Sequence, residues 1–159
     1  MEEERGFKKK FTPQQAKLKA ESYCAYQERA QQEVRDKLYN WGLYPADVEN
    51  IISDLISDNF LNEERFAVAY CLGKFRIKKW GKIKIAQHLQ AKRVSKPLIK
   101  IALKAIDLDD YENTLEATLQ EKLKAPIKSL SMAEKAKLIR FLQSRGFEND
   151  LIFQKISYH

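Results

Sequence analysis

Acidic residues are missing from the middle of this chain. Between Glu64 and Asp107 there is no aspartate or glutamate, while twelve lysines and arginines fall in the same interval. The rest of the 159 residues carries 17 basic and 22 acidic side chains, a net of −5 beside a central +12. Core packing does not require acids to be excluded from so long a stretch, so the imbalance reads as a field aimed at an anionic partner. Other scarcities exclude whole classes of function. The five glycines are scattered, so there is no loop to cradle a phosphate and ATP hydrolysis by this chain is not expected. With only two histidines, His88 inside a helical pattern and His159 at the end, no Ser-His-Asp or Cys-His arrangement and no metal site can be assembled. The two cysteines, Cys24 and Cys71, lie far apart in apolar helical surroundings and read as reduced, buried thiols. No run approaches the roughly 18 to 20 apolar residues that a bilayer span needs, and "MEEERGFKKKF" has no apolar core of the kind a secretory signal uses. A cytoplasmic protein without membrane contact, cofactor, metal or catalytic activity is expected. The acid pairs Glu63–Glu64 and Asp109–Asp110 fit helix starts, where negative charge is favoured.

What the chain does contain is repetition. Three segments align: "KLYNWGLYPADVENIISDL" from residue 37, "HLQAKRVSKPLIKIALKAI" from residue 88 and "FLQSRGFENDLIFQKIS" from residue 141. Leu38, Leu89 and Leu142 coincide, then Gly42, Arg93 and Gly146, then Leu43, Val94 and Phe147. Each segment reads as helix, tight turn, helix, with glycine in two of the three turns at a position that often needs positive φ. Pro45 with Asp47, Ser95 with Pro97, and Glu148 with Asn149 and Asp150 can open the following helices. Apolar residues then recur at three and four positions, as in Val48, Ile51, Ile52 and Leu55, which marks one buried face. A further helix precedes each pair: "TPQQAKLKAESYCAYQERA", "NEERFAVAYCLGKFRIKK" with Asn62 as its cap, and "DYENTLEATLQEKLKA" with Asp109 or Asp110. The expectation is an all-α, elongated tandem array of three three-helix units with helix-turn-helix-like character. Residues 1–11 form an N-terminal tail, 12–61 the first unit, 62–108 the second and strongly basic one, and 109–159 the third.

Within the basic unit, "KFRIKKWGKIKI" concentrates five lysines and one arginine in residues 74–85. Its alternation of apolar and charged residues could suit a β-hairpin, but the helical spacing of Phe66, Ala69, Tyr70, Gly73 and Ile77 on one flank and of Ile85, Ala86 and Leu89 on the other favours helix, loop around Trp80 and Gly81, helix. The candidate binding residues are Lys74, Arg76, Lys78, Lys79, Trp80, Lys82, Lys84, Lys92 and Arg93. Several of their charged heads are expected on one ridge, with Phe75, Ile77, Ile83 and Ile85 turned inward. Trp80 either covers the core at the bend or stacks on a base or a partner side chain. Lysine outnumbers arginine, which favours loose tracking of a phosphate backbone or an acidic protein groove over base reading.

Residues 60–103, "FLNEERFAVAYCLGKFRIKKWGKIKIAQHLQAKRVSKPLIKIAL", resemble the signature of the RecX family, bacterial regulators of the RecA recombinase. Leu61, Asn62, Arg65, Phe66 and Ala67 supply its first part; Arg76, Lys79, Gly81, Ile85, Leu89, Lys92 and Val94 supply its second. Arg93 departs from the family's frequent glycine, and the third unit matches more loosely. The resemblance implies a protein without catalytic activity that lies along the groove of a RecA filament on DNA and inhibits ATP hydrolysis and strand exchange or promotes filament shortening; a monomer that meets single- or double-stranded DNA is expected. Two other readings stay open: a plain DNA-binding module acting without recombinase, and a helical scaffold whose charge confers only solubility.

Overall fold

A computed structural model describes residues 10–156, so most of the expected tail and His159 lie outside the described residues. Among the described residues there are nine α-helices and no strand. They run α1 (Pro13–Tyr26), α2 (Gln31–Asn40), α3 (Pro45–Ser57), α4 (Glu63–Gly73), α5 (Lys82–Ala91), α6 (Lys96–Lys104), α7 (Leu108–Lys122), α8 (Met132–Ser144) and α9 (Asn149–Lys155). The fold is thus all-α, with three consecutive helix triplets.

Local chemistry sets most of the boundaries. Thr12 and Gln15 close a reciprocal capping box at α1, and Ser131 and Glu134 do the same at α8. Asn62 accepts the Arg65 amide at 2.8 Å to cap α4. At α7 the cap is Asp107, which accepts from the Asp110 amide; the expected caps Asp109 and Asp110 sit in the first turn instead. Helix α1 stops at Tyr26, short of the stretch to Ala30 read as helical, because the chain turns extended at Gln27 and Arg29 folds back to donate to the Tyr23 carbonyl.

The aligned turns share one backbone geometry. Gly42, Arg93 and Gly146 have φ of 88°, 65° and 96°, so all three triplets reverse through a left-handed residue. At Arg93 an L side chain tolerates what glycine allows freely, at a steric cost of about 1–2 kcal/mol.

The chain divides into two compact units, the first reaching Ala67 and including Lys92–Val94, the second comprising Val68–Ala91 and Ser95 onward. In the first, α1, α2 and α3 pack against one another around Ala16, Ala20, Val34, Leu38, Ile52 and Leu55. Phe11, which the sequence placed in the tail, is half-buried there and meets Trp41 edge to face with centroids 5.9 Å apart. In the second unit α5 packs on α6, α7 on α8 and α8 on α9, burying Ile85, Leu89, Leu115, Leu119, Leu142 and Ile152. Cys24 and Cys71 are buried free thiols.

Candidate docking site

The basic segment begins where α4 changes pitch. Lys74–Lys78 form a π-helical turn that ends when Lys79 enters the left-handed region at φ 60°, its amide bonded to the Phe75 carbonyl at 3.0 Å. Two of the four apolar residues expected inside are not. Phe75 and Ile85 are buried, but Ile77 is 78% exposed and Ile83 43% exposed. A π-turn holds more residues than the 3.6 of an α-turn, so the apolar stripe counted from Phe66 slips and Ile77 is carried outward. Ile83 lies two residues before Ile85 on α5, about 200° away around the helix, so both cannot face the core.

Gly81 fixes the loop to the third triplet. Its amide donates to the Arg145 carbonyl at 2.7 Å, and the Ile83 amide donates to the Gly146 carbonyl at 2.9 Å. A Cβ at Gly81 would overlap the Gly146 carbonyl and the Phe147 amide, and one at Gly146 would overlap Lys84. Glycine on both sides is what lets the backbones meet.

Tyr111, buried at the start of α7, completes the anchorage. Its hydroxyl accepts the Lys82 amide at 2.8 Å and donates to Glu148 at 2.5 Å, while its ring lies 5.9 Å from Phe75 and 5.6 Å from Phe147. Burial first, and then the bond to Glu148, push its phenol well above the ordinary tyrosine range. Sequence reading missed Tyr111 and Glu148; an unpaired aromatic on an otherwise Leu-rich helix and an acid at a helix start were the faint signals.

The candidate residues fall into separate groups. Lys74 and Lys84 place their ammonium groups 5.2 and 4.8 Å from the centre of the Trp80 ring, and the His88 ring lies tilted against it with centroids 4.5 Å apart. Trp80 is therefore engaged by its own neighbours. Arg76 and Lys79 line a shallow groove of about 350 Å³ with Asp110, Asn113, Thr114, Thr118 and Glu121 of α7, neither carboxylate being close enough for an ion pair with them. Lys78 is exposed. Lys82 lies over the Tyr111 ring at 4.8 Å. Lys92 and Arg93 belong to the first unit, where Lys92 lies 3.8 Å from Glu33 and Arg93 reaches Gln32 at 3.5 Å. Among the described residues Lys74, Arg76, Lys78, Lys79, Lys82 and Lys84 form no ion pair with a carboxylate.

Comparison with known proteins matches the three helix triplets one by one. The RecX first three-helix domain matches residues 16–55, the second 62–103 and the third 109–156. The chain belongs to the RecX family. Regulatory protein RecX of Vibrio campbellii is 31% identical over 131 residues, covering 82% of this chain and 83% of that protein. Its counterpart in Bacillus mycoides is 27% identical over 139 residues, covering 87% of this chain and 52% of that protein. The chain thus spans about half the length of the Bacillus RecX proteins it matches. The crystal structure of RecX from Lactobacillus salivarius superposes with a TM-score of 0.80 at 20% identity, covering 91% of this chain and 96% of that one, so the helical fold is shared. RecX proteins are a regulatory, helical family, and no described helix here is long and apolar enough to cross a membrane.

Proposed function

We propose that this member of the RecX family regulates the RecA recombinase by docking on its DNA-bound filament through the cationic segment around Lys74–Lys84, lowering ATP hydrolysis and strand exchange. The observation that carries the reading is the unpaired, exposed triad of Arg76, Lys78 and Lys79 at the end of a π-turn, within a family of regulators. Exposed cations without an intramolecular carboxylate partner break no salt bridge when they meet phosphates or acidic loops, and their field accelerates encounter. The protein acts as a non-enzymatic cytoplasmic monomer, with residues 12–61, 62–108 and 109–159 as its three working units. Lys92 and Arg93 belong to the first unit, where they face Glu33 and Gln32, and are proposed as contacts which that unit makes with the partner.

The test is a titration into RecA on single-stranded DNA, following ATP hydrolysis and filament length together. Arg76→Glu, Lys78→Glu and Lys79→Glu combined should raise the concentration for half-inhibition by about tenfold or more with unchanged circular dichroism. Full inhibition by the folded triple variant would refute the site.

Helix α6 favours a second reading. Lys96, Lys100 and Lys104 are all exposed at four-residue spacing along the second helix of a helix-turn-helix pair. A general DNA-binding module would hold naked duplex tightly, with a log–log salt slope of roughly −4 to −5 for four to six neutralised phosphates. Weak duplex binding without RecA would reject that alternative.

A further inference from the structure

The end of α7, the 3₁₀ turn Ile127–Ser129 and α8 leave between them an open groove of about 490 Å³. Its floor is aliphatic and aromatic: Leu123, Leu130 and Phe141 are half-buried and Leu138 is buried. Lys122, Lys124 and Lys137 rim it, all exposed and none ion-paired to a carboxylate among the described residues. Glu134 is the one acid at the rim, and its carboxylate is held at 2.7 Å by the Ser131 amide in the α8 capping box.

We infer that this groove is a second docking site, distinct from the cationic segment, for an acidic protein segment carrying an apolar anchor. Three unpaired lysines around an apolar floor are complementary to carboxylates flanking a leucine or phenylalanine, the arrangement in which a buried anchor supplies affinity and the charged rim supplies selection. A strand of nucleic acid fits less well, because the leucines that make up most of the floor offer bases no stacking face.

The proposal is independent of any effect on recombinase, so its test uses the full chain and a synthetic probe. Fluorescence anisotropy with a labelled nonapeptide, a Leu-Phe pair flanked by glutamates, should show saturable binding that weakens with salt. Replacing the glutamates by glutamine, or combining Lys122→Glu with Lys137→Glu, should weaken it by about tenfold. Leu130→Ser should weaken it with little change in salt slope. The triple reversal at Arg76, Lys78 and Lys79 should leave it intact. Absence of saturable binding would overturn the inference, as would binding indifferent to Lys122 and Lys137 but lost in the Arg76, Lys78 and Lys79 variant. Displacement of the peptide from this groove by a single-stranded oligonucleotide of equal charge at lower concentration would reassign the groove to nucleic acid and equally overturn it.

Discussion

Gly81 and Arg93 show how much a single residue decides here. Gly81→Ala puts a methyl group into the backbone of Gly146 and Phe147, so the loop must lift and give up its bonds to the Arg145 and Gly146 carbonyls. A loss of about 2–3 kcal/mol is expected from two hydrogen bonds and the displaced packing, measured by urea unfolding. Arg93→Gly should act in the opposite direction. It removes the Cβ from a left-handed position whose counterparts are Gly42 and Gly146, and should raise stability by about 0.5–1 kcal/mol in the same assay. Cys71 is fully buried, and burial lifts its thiol from 9.0 to about 11. The folded chain then holds this proton more tightly than the unfolded one, so the contribution is whole below pH 9, falls as the unfolded thiol ionises, and is gone above about 11. Tyr111, raised by the same cause, works in the same direction at the alkaline end. Unfolding free energy should therefore decline by on the order of 2 kcal/mol across that window on account of Cys71 alone, and Cys71→Ala should flatten the decline.

At the scale of elements, the start of α5 depends on a tyrosine from α7. Tyr111→Phe keeps the ring between Phe75 and Phe147 but leaves the Lys82 amide and Glu148 without their shared partner. About 1–3 kcal/mol should be lost, with faster amide exchange confined at first to the first turn of α5. The helices themselves were readable because Val48, Ile51, Ile52 and Leu55 repeat at helical spacing and because caps such as Asn62 and breakers such as Gly42 are local chemistry. Likewise the left-handed turns followed from aligning Gly42 with Gly146, although Arg93 shows the geometry outlasting the glycine. The π-turn was not readable. Nothing in "KFRIK" announces a change of pitch, so the exposure of Ile77 could not be foreseen by counting from Phe66. Equally hidden was the meeting of Gly81 with Gly146, sixty-five residues apart, which is a property of packing and not of either neighbourhood.

Across the whole molecule, charge is sorted along the chain more sharply than stability requires. Acids that stabilise helix starts or pair with lysines and arginines, such as Glu33, Glu49 and Glu112, lie outside the interval from Arg65 to Ile106, and the cations at Lys74–Lys84 are left to their aromatic neighbours or to water. The docking of this segment on the RecA filament remains the proposal to be tested. Its most direct measurement is the binding of the full chain to RecA assembled on immobilised single-stranded DNA, at low and high salt. The account predicts that reversing Arg76, Lys78 and Lys79 weakens binding by about tenfold at low salt and reduces its salt dependence, whereas reversing the exposed Lys10, Lys19 and Lys128 has a much smaller effect. Equal losses from the two triple variants, or none from the first, would contradict it.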